Sequence, residues 1–537
     1  MKSATLQTDK KMKDHTMTIR SRLEALLHAL LLLPLFLLPA FLQAADVPKR
    51  PNILVVINDD QSWLECSAYG NSSVQTPTFD RVARAGVLFT HGYCSAPSCA
   101  PARAALLTGR NFWELEQGAI IQAWLPTKFR TVPEILGGAG YHAGYTGKGW
   151  GPGVKEPTGK RADPAGTAWN SARIKSAAEG MSNIDYVDNL RQFLDAKPAD
   201  TPFYFWAGIL EPHGPWGPDN HEKLSVGLDA VKLPGFLPDT PGVRRSRADY
   251  LYEVEQADRT LAAILELLEA RGELANTLVI VTADNGTSLP RAKANVYDWG
   301  VHVPLAMMWP ARVPAGRTVS DFVGFPDLAP TILAAAGLPV PAEMTGRSLL
   351  ETLLSNASGR VDPARDCTVN GLEWHGNLPP VDIAARSIRD DRFAYIVNYS
   401  ATPRANVNGK AAKPDSQFAA NAGQLDVLPL LAAHPERPEL RRFVALINAV
   451  RPREELYDCI ADPDQLVNLA DRPEHSATKE RLRGRLEACQ RQTHDPRITG
   501  DMAVFTETTA YVQARKAAGY ADHDRHDPKR AKEPQAE

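Results

Sequence analysis

The sequence predicts an α/β fold: a mixed, mostly parallel sheet sandwiched by helices, followed by a smaller C-terminal α+β domain built on an antiparallel sheet. Three observations carry this reading. Short continuous apolar runs at 53–57, 203–209 and 277–282 suit strands buried on both faces. Helical stretches alternate with them, the clearest being 248–271, where Leu251, Val254, Leu261, Ile264 and Leu268 recur at roughly helical spacing. Acids and amides follow directly on strand ends, where a parallel sheet meets its ligands.

Taken in order, the chain opens on Lys2, Lys10, Lys11, Lys13, Arg20 and Arg22, followed by an uncharged stretch, 25–45, centred on LLLLPLFLLPAFL. This pattern predicts a secretory signal peptide over 1–45, and hence an exported, periplasmic or secreted protein. The competing reading is a membrane anchor; Pro34, Pro39 and the exit Ala44-Ala45-Asp46 favour cleavage, leaving no membrane association. Met17 is an alternative start. The strand at 53–57 runs into Asn58-Asp59-Asp60. Helices are expected over 76–85, closed by Gly86, and over 131–139. A short strand at 141–145 leads to Gly147-Lys148-Gly149, the 248–271 helix stops at Gly272, and the strand at 277–282 leads to Ala283-Asp284-Asn285-Gly286. After about 365 the texture changes to a strand at 392–399, a loop-rich stretch at 400–440 and a helix at 479–490. The expected domains are 46–365 and 366–510. A charged tail at 511–537 has almost no apolar residues at its end and is expected to be disordered. No internal repeat is visible.

Composition limits the function classes. The chain has 537 residues, 44% hydrophobic and 23% charged, an ordinary globular balance. Removing 1–45 takes away six Lys/Arg and three Asp/Glu, leaving 54 basic and 60 acidic residues, a net charge of −6. Nucleic acid is therefore not an expected partner. A polyanionic substrate needs a local basic pocket. The six cysteines include no CxxC, which argues against zinc; Cys459 and Cys489 flank one segment and are a candidate disulfide, though spacing alone fixes no connectivity.

Asp59 and Asp60 stand at one strand end, Asp284 and Asn285 at another. Four oxygen-bearing side chains on one sheet edge suit a hard divalent cation, calcium or magnesium. Either pair alone reads as turn residues. Cys99 is open to two readings, an inert buried cysteine or a thiol nucleophile. Pro101 suits a first helical turn and 102–107 is a good helix former, so residue 99 is expected at a helix N-terminus. That end, with Arg103 one turn on, favours an anion. Lys148 and Lys293 read alone as solvated loop charges. His213, between two prolines after a buried strand, is a stronger candidate.

Cys99-Ala100-Pro101-Ala102-Arg103 resembles the maturation signature of the type I sulfatases. ILVVINDD, SCAPARAALLTGR, GYTGKGWGPG, EPHGPW, VIVTADNG, KANVYDWGVHVPLAM and ELYDCIADPDQLVNLA resemble further blocks of that family, in its order. The resemblance implies an alkaline-phosphatase-like fold and a sulfatase. In that reading Asp59, Asp60, Asp284 and Asn285 bind calcium (magnesium being possible on ligand type), with residue 99 beside the metal. Cys99 is oxidised to formylglycine by a formylglycine-generating or anaerobic sulfatase-maturating enzyme, and its aldehyde hydrate attacks sulfur. Arg103 holds that residue, Lys148 and Lys293 neutralise sulfate oxygens, and His213 donates toward the leaving group. Preplaced cations and a proton donor are what a transition state with charge on these atoms requires. The partner is a sulfated saccharide.

Two blocks depart from the common pattern. Lys148 is followed by Gly149-Trp150-Gly151 rather than Trp-His, and Tyr297-Asp298-Trp299-Gly300-Val301-His302 replaces the common Tyr-Glu-Gly-Gly-x-Arg. DNGTSLPRAKANVY, EPHGPW, RFAYIVNYS and THDPRI resemble the heparan N-sulfatase (sulfamidase) branch, which implies the N-sulfo group of non-reducing-end N-sulfoglucosamine as substrate. Lys293 stands where that branch tends to have Arg. Glu211, His302 and His375 are candidate substrate contacts; for Glu211 and His375 a capping or surface role is an equal reading. Trp113, Trp124 and Trp299 are candidates to stack on sugar, although aromatic residues are more often core. The alternatives are an O-sulfatase on a glycosaminoglycan or other sulfated polysaccharide, a phosphomonoester or phosphonate hydrolase of the same superfold, and a non-catalytic glycan-binding relative. One set of metal ligands argues against the second, the intact motif against the third. The sequence fixes no oligomeric state, a homodimer being one option.

Overall fold

Residues 52–58 lie at the heart of an eight-stranded sheet. The computed structural model describes residues 50–156, 161–375, 383–399, 437–448 and 450–505. The expected signal segment, most of the loop-rich stretch 400–440 and the charged tail fall outside the described residues.

The strands are β1 (Asn52–Asn58), β2 (Val87–Tyr93), β3 (His142–Gly147), β4 (Thr167–Ala168), β5 (Phe203–Ile209), β6 (Thr277–Ala283), β7 (Leu305–Met308) and β8 (Arg317–Gly324). Their order is β4-β3-β5-β1-β6-β7-β2-β8. Only β7 is reversed, antiparallel to both β6 and β2; every other pairing is parallel. The mixed, mostly parallel sheet expected from the sequence is present. Register brings the strand ends level. Asn58 pairs with Ile209 on β5 and with Ala283 on β6. The residues that follow, Asp59, Glu211 and Asp284, therefore emerge at one edge.

Both faces of β1 are buried, which explains its unbroken apolar run. Ile53, Val55 and Ile57 pack in a cluster that includes the helix Cys99–Thr108, while Leu54 and Val56 pack with Ala257, Leu261, Ile264 and Leu268 from the helix Pro241–Ala270. Each such side chain contributes roughly 1.5–3 kcal/mol by leaving water. The second helix starts seven residues earlier than the apolar periodicity predicts. Thr240 caps it by accepting from Val243 N, and Pro241 fits the first turn, but its opening turns carry Arg244, Arg245 and Arg247 and little apolar signal.

The smaller sheet comprises β9 (Cys367–Leu372), β10 (Ala385–Asp390), β11 (Phe393–Asn398) and β12 (Glu454–Asp458), in the order β12-β11-β10-β9 and antiparallel throughout. The helix Ser476–Gln492 covers it, setting Leu482 and Leu486 against Ile388, Tyr395 and Leu456. Both sheets belong to one compact unit that begins at Pro51. The candidate disulfide is not formed: Cys459 and Cys489 are free thiols, as are the other four cysteines. Among the described residues no helix is long and apolar enough to cross a membrane.

Candidate active site

Cys99 is the first residue of the helix Cys99–Thr108, as its sequence predicts. Ser98 precedes it in extended conformation. Pro101 sits in the first turn, where the backbone N–H it lacks has no helical partner. All ten residues of this helix are buried, and the alanines at 100, 102, 104 and 105 let it run through the core. It ends at Gly109, whose φ of 68° is the left-handed conformation that closes a helix.

The Cys99 thiol lies 3.6 Å from Asp59 Oδ1 and 4.0 Å from Asp60 Oδ1. Ligand atoms of Asp59, Asp60, Asp284 and Cys99 all lie within 4.8 Å of one another. That is the span expected of donors around one ion at about 2.4 Å each. Asn285 belongs to the same cluster. Its Nδ2 donates to Asp60 Oδ1 at 2.8 Å, whereas its Oδ1 is buried without a hydrogen-bond partner. An orphaned amide oxygen beside three carboxylates fits a hard cation, so the predicted donor set is brought together and suits a divalent metal.

Three cations surround these acids. Arg103 Nε donates to Asp284 Oδ2 at 2.8 Å, and its Nη1 donates to the carbonyls of Lys148 (2.8 Å) and Gly149 (3.0 Å). Lys148 Nζ pairs with Asp59 and lies 3.7 Å from Asp284 Oδ2. Lys293 Nζ is 2.6 Å from Asp60. His213 Nε2 is 3.7 Å from Asp60 Oδ2, and its Nδ1 lies 2.7 Å from the Gly214 carbonyl. Lys148 reaches its place because two glycines let backbones touch. Gly147 has φ 71°, and a Cβ there would come within 2.0 Å of the Gly208 carbonyl; a Cβ on Gly208 would meet the Lys148 carbonyl at 1.8 Å.

Electrostatics follow from this packing. Burial pushes the Cys99 thiol far up, aided by Asp284 and Asp59 and opposed by the lysines, so an unmodified thiol here stays protonated. Burial also favours neutral acids, but Arg103, Lys148 and Lys293 outweigh it at Asp284 and hold that carboxyl low. Lys293 and His213 do the same for Asp60. Asp59 goes the other way: burial and the neighbouring Asp284 raise it. A divalent cation relieves that repulsion.

The other candidates divide. His375 reaches the cluster's edge. Its Nδ1 is 2.9 Å from Ser98 Oγ, next to Cys99, and burial, then Lys293, lowers its pKa to about 3. Glu211 is at the sheet edge, but its carboxylate turns to Ser182 N (2.8 Å) and the Tyr186 hydroxyl (3.3 Å). His302 does not join the cluster. It stacks between Trp63 (4.2 Å) and Tyr93 (4.4 Å), its Nε2 lies 3.0 Å from the Thr90 carbonyl, and burial drives its pKa well down. It is a core histidine. Trp113 and Trp299 are also buried, their indole N–H groups donating to Thr493 Oγ1 (3.0 Å) and Asp464 Oδ1 (2.8 Å). Trp124 is half-buried.

Sequence reasoning missed two contributors. Ser288 Oγ donates to Asp60 Oδ2 at 2.5 Å, a role that no spacing signals. The Lys293 segment is held from outside the larger sheet. Arg291, at φ 63°, donates through Nη2 to the Gln465 carbonyl at 2.6 Å, and Gln465 Oε1 accepts from Asp298 N at 2.6 Å. Ala294, also at φ 63°, donates through its N–H to the Pro97 carbonyl at 2.9 Å.

A mostly parallel sheet with an acid cluster and convergent cations at its carboxyl edge suits the class of metal-assisted hydrolases of oxyanion esters. The sulfatase family profile matches residues 51–338, and the profile of the N-sulphoglucosamine sulphohydrolase C-terminal region matches 292–404. The chain belongs to the sulfatase family and is thereby a sulfuric ester or sulfamate hydrolase. Human N-sulphoglucosamine sulphohydrolase is 29% identical over 504 residues, covering 85% of this chain and 93% of that protein. An ulvan-active sulfatase of Formosa agariphila is 27% identical over 451 residues, covering 82% and 80%. Among solved structures, a complex with the substrate D-glucosamine-2-N,6-O-disulfate superimposes with TM-score 0.59 at 19% identity, covering 83% of this chain and 99% of that one. The phosphonate monoester hydrolase of Silicibacter pomeroyi superimposes with TM-score 0.61 at 18% identity, covering 83% and 96%. At these identities the two structures speak to the fold alone.

Proposed function

We propose that this protein is an exported, formylglycine-dependent sulfatase that removes the N-sulfo group from non-reducing-end N-sulfoglucosamine. The observation that carries the reading is the ring of Asp59, Asp60, Asp284, Asn285, Arg103, Lys148, Lys293 and His213 around residue 99 at a helix start. A high-pKa buried thiol is a poor nucleophile, so the ring makes better sense around the aldehyde hydrate that Cys99 yields on oxidation. Asp59, Asp60, Asp284 and Asn285 would hold calcium, which when bound polarises a sulfate oxygen and eases deprotonation of a nearby hydroxyl.

The chain's own groups have distinct tasks. Lys148 and Lys293 stay charged at neutral pH: burial alone would lower both, but Asp59 and Asp60 respectively outweigh it. Their ammonium groups meet charge on the non-bridging oxygens of sulfate. Arg103 locks Asp284 and the Lys148 backbone, fixing the floor of the site. His213, half-buried beside Asp60, presents Nε2 to the leaving nitrogen and supplies its proton. The match of residues 292–404 to the N-sulphoglucosamine sulphohydrolase C-terminal profile, together with the 29% identity to the human protein across most of both chains, supports the N-sulfo substrate.

Two measurements test this reading. Protein matured in an exporting host is expected to give a residue-99 peptide about 18 Da lighter than the cysteine form. The matured enzyme is expected to release sulfate from N-sulfoglucosamine and not from glucosamine 6-O-sulfate. Release only from the latter would make it an O-sulfatase.

A further inference from the structure

Just past the acid pair, a second buried charge cluster meets the site through backbone alone. Glu65, Arg247 and Tyr250 are fully buried. Glu65 Oε1 forms an ion pair with Arg247 Nη2 at 2.5 Å. Glu65 Oε2 accepts from Ser62 N at 2.7 Å and contacts the Tyr250 hydroxyl, whose single proton lies between two acceptors. That hydroxyl also lies 3.0 Å from the Asp60 carbonyl oxygen. The Arg247 guanidinium stands over the Tyr250 ring at 4.7 Å. None of these side chains belongs to the ring around Cys99.

Asp60 needs such a hold. Its φ of 68° is a left-handed conformation, uncommon for a residue other than glycine though Asp adopts it more readily than most. In that conformation its N–H donates to Asp284 Oδ1 at 3.1 Å, and its carboxylate meets Lys293, Ser288 and Asn285. Its carbonyl meets Tyr250. The next residues are pinned as well: Gln61 N to the Asn285 carbonyl at 2.9 Å, and Ser62 Oγ to the Trp299 carbonyl at 2.6 Å. A peptide fixed on its carbonyl side presents its side chain in one direction.

We infer that Tyr250, backed by Glu65 and Arg247, is a positioning residue for Asp60: its hydroxyl fixes the Asp60 carbonyl and so aims the Asp60 carboxylate at the bound cation. The inference rests on the cation site proposed above. Partners that orient a metal ligand without touching the metal typically change affinity by about 10–100-fold when removed.

The test is calorimetric titration of the chelator-treated full chain with calcium, for the wild type, Tyr250→Phe, Glu65→Gln and a control, Tyr204→Phe. The Tyr204 hydroxyl is buried without a partner on β5. Tyr250→Phe and Glu65→Gln are expected to weaken calcium binding at least about tenfold. Excess calcium is expected to restore their kcat, and Tyr204→Phe to match the wild type. Wild-type calcium affinity in both variants would overturn the positioning role and leave the cation site standing. A loss of kcat that excess calcium does not restore would also overturn it, since a general packing defect is not relieved by mass action. A wild type that binds no calcium overturns the cation site and the inference together. Should Tyr250→Phe fail to fold, Glu65→Gln is judged by the same criteria.

Discussion

Arg103 Nε and Asp284 Oδ2 lie 2.8 Å apart with neither side chain exposed, so one cation holds both a cluster carboxylate and, through Nη1, the Lys148 carbonyl. Arg103→Met takes away the closest partner of the buried Asp284 carboxylate and leaves Lys148, 3.7 Å away, to face it. Breaking a buried pair from one side destabilises by about 3–5 kcal/mol. Urea denaturation of the variant is expected to show a loss of that order. A change under 1 kcal/mol would mean that water or a cation already screens Asp284, roughly as at a surface pair.

His213 is expected to matter in proportion to how poor the leaving group is. An aryl sulfate leaves without help, whereas an amine leaving from an N-sulfo group needs its proton. General acids typically contribute about 10²–10⁴-fold. His213→Gln should therefore lose activity of that order on N-sulfoglucosamine and far less on 4-nitrophenyl sulfate. Equal losses on both substrates would assign His213 to sulfate binding instead.

Removing the divalent cation leaves Asp59, Asp60 and Asp284 facing one another. Burial raises Asp59, and the neighbouring Asp284 raises it further. Chelation is expected to lower both turnover and melting temperature, and added calcium to restore both. A chelated protein that keeps its melting temperature would place the cation elsewhere.

His375 supplies a pH signature. Its folded pKa, about 3, is below the ordinary 6.5, because burial and then Lys293 disfavour the imidazolium. Between these values the unfolded chain binds a proton that the folded chain refuses, so stability falls as pH drops through that window and is unaffected above it. His375→Gln should remove this component. In denaturant titrations, the wild type's stability relative to the variant is expected to decline from pH 6.5 downward. A pH-independent difference would show that His375 is protonated in the folded state, or solvated.

Much of this arrangement is legible in the sequence, and the reasons for the gaps are physical. β1, β5 and β6 are buried on both faces, and such strands write themselves as unbroken apolar runs. β7 has four residues between Pro304 and Pro310, too short for any period to show. The acid pairs at 59–60 and 284–285 are each adjacent in sequence and follow recognisable strands, so their convergence is legible in the sequence. His302 could not be placed that way. It stands nine residues after Lys293 in one block, and only its ring stack with Trp63 and Tyr93 reveals a core residue. Ser288 and Tyr250 were invisible for a different reason. A hydroxyl's partner depends on distant chain, here across 228 and 190 residues.

The hold of Gln465 on Arg291 has a bearing on how such enzymes diversify. Lys293 faces Asp60, yet its segment is anchored to chain 174 residues downstream of Arg291. Exchange of the chain around 465 with that of a relative is therefore expected to change the support under Lys293 while Asp59, Asp60, Asp284 and Asn285 stay as they are. Substitutions at 465 thus reach Lys293 only through Arg291 and the backbone between them, at a distance from the acid cluster.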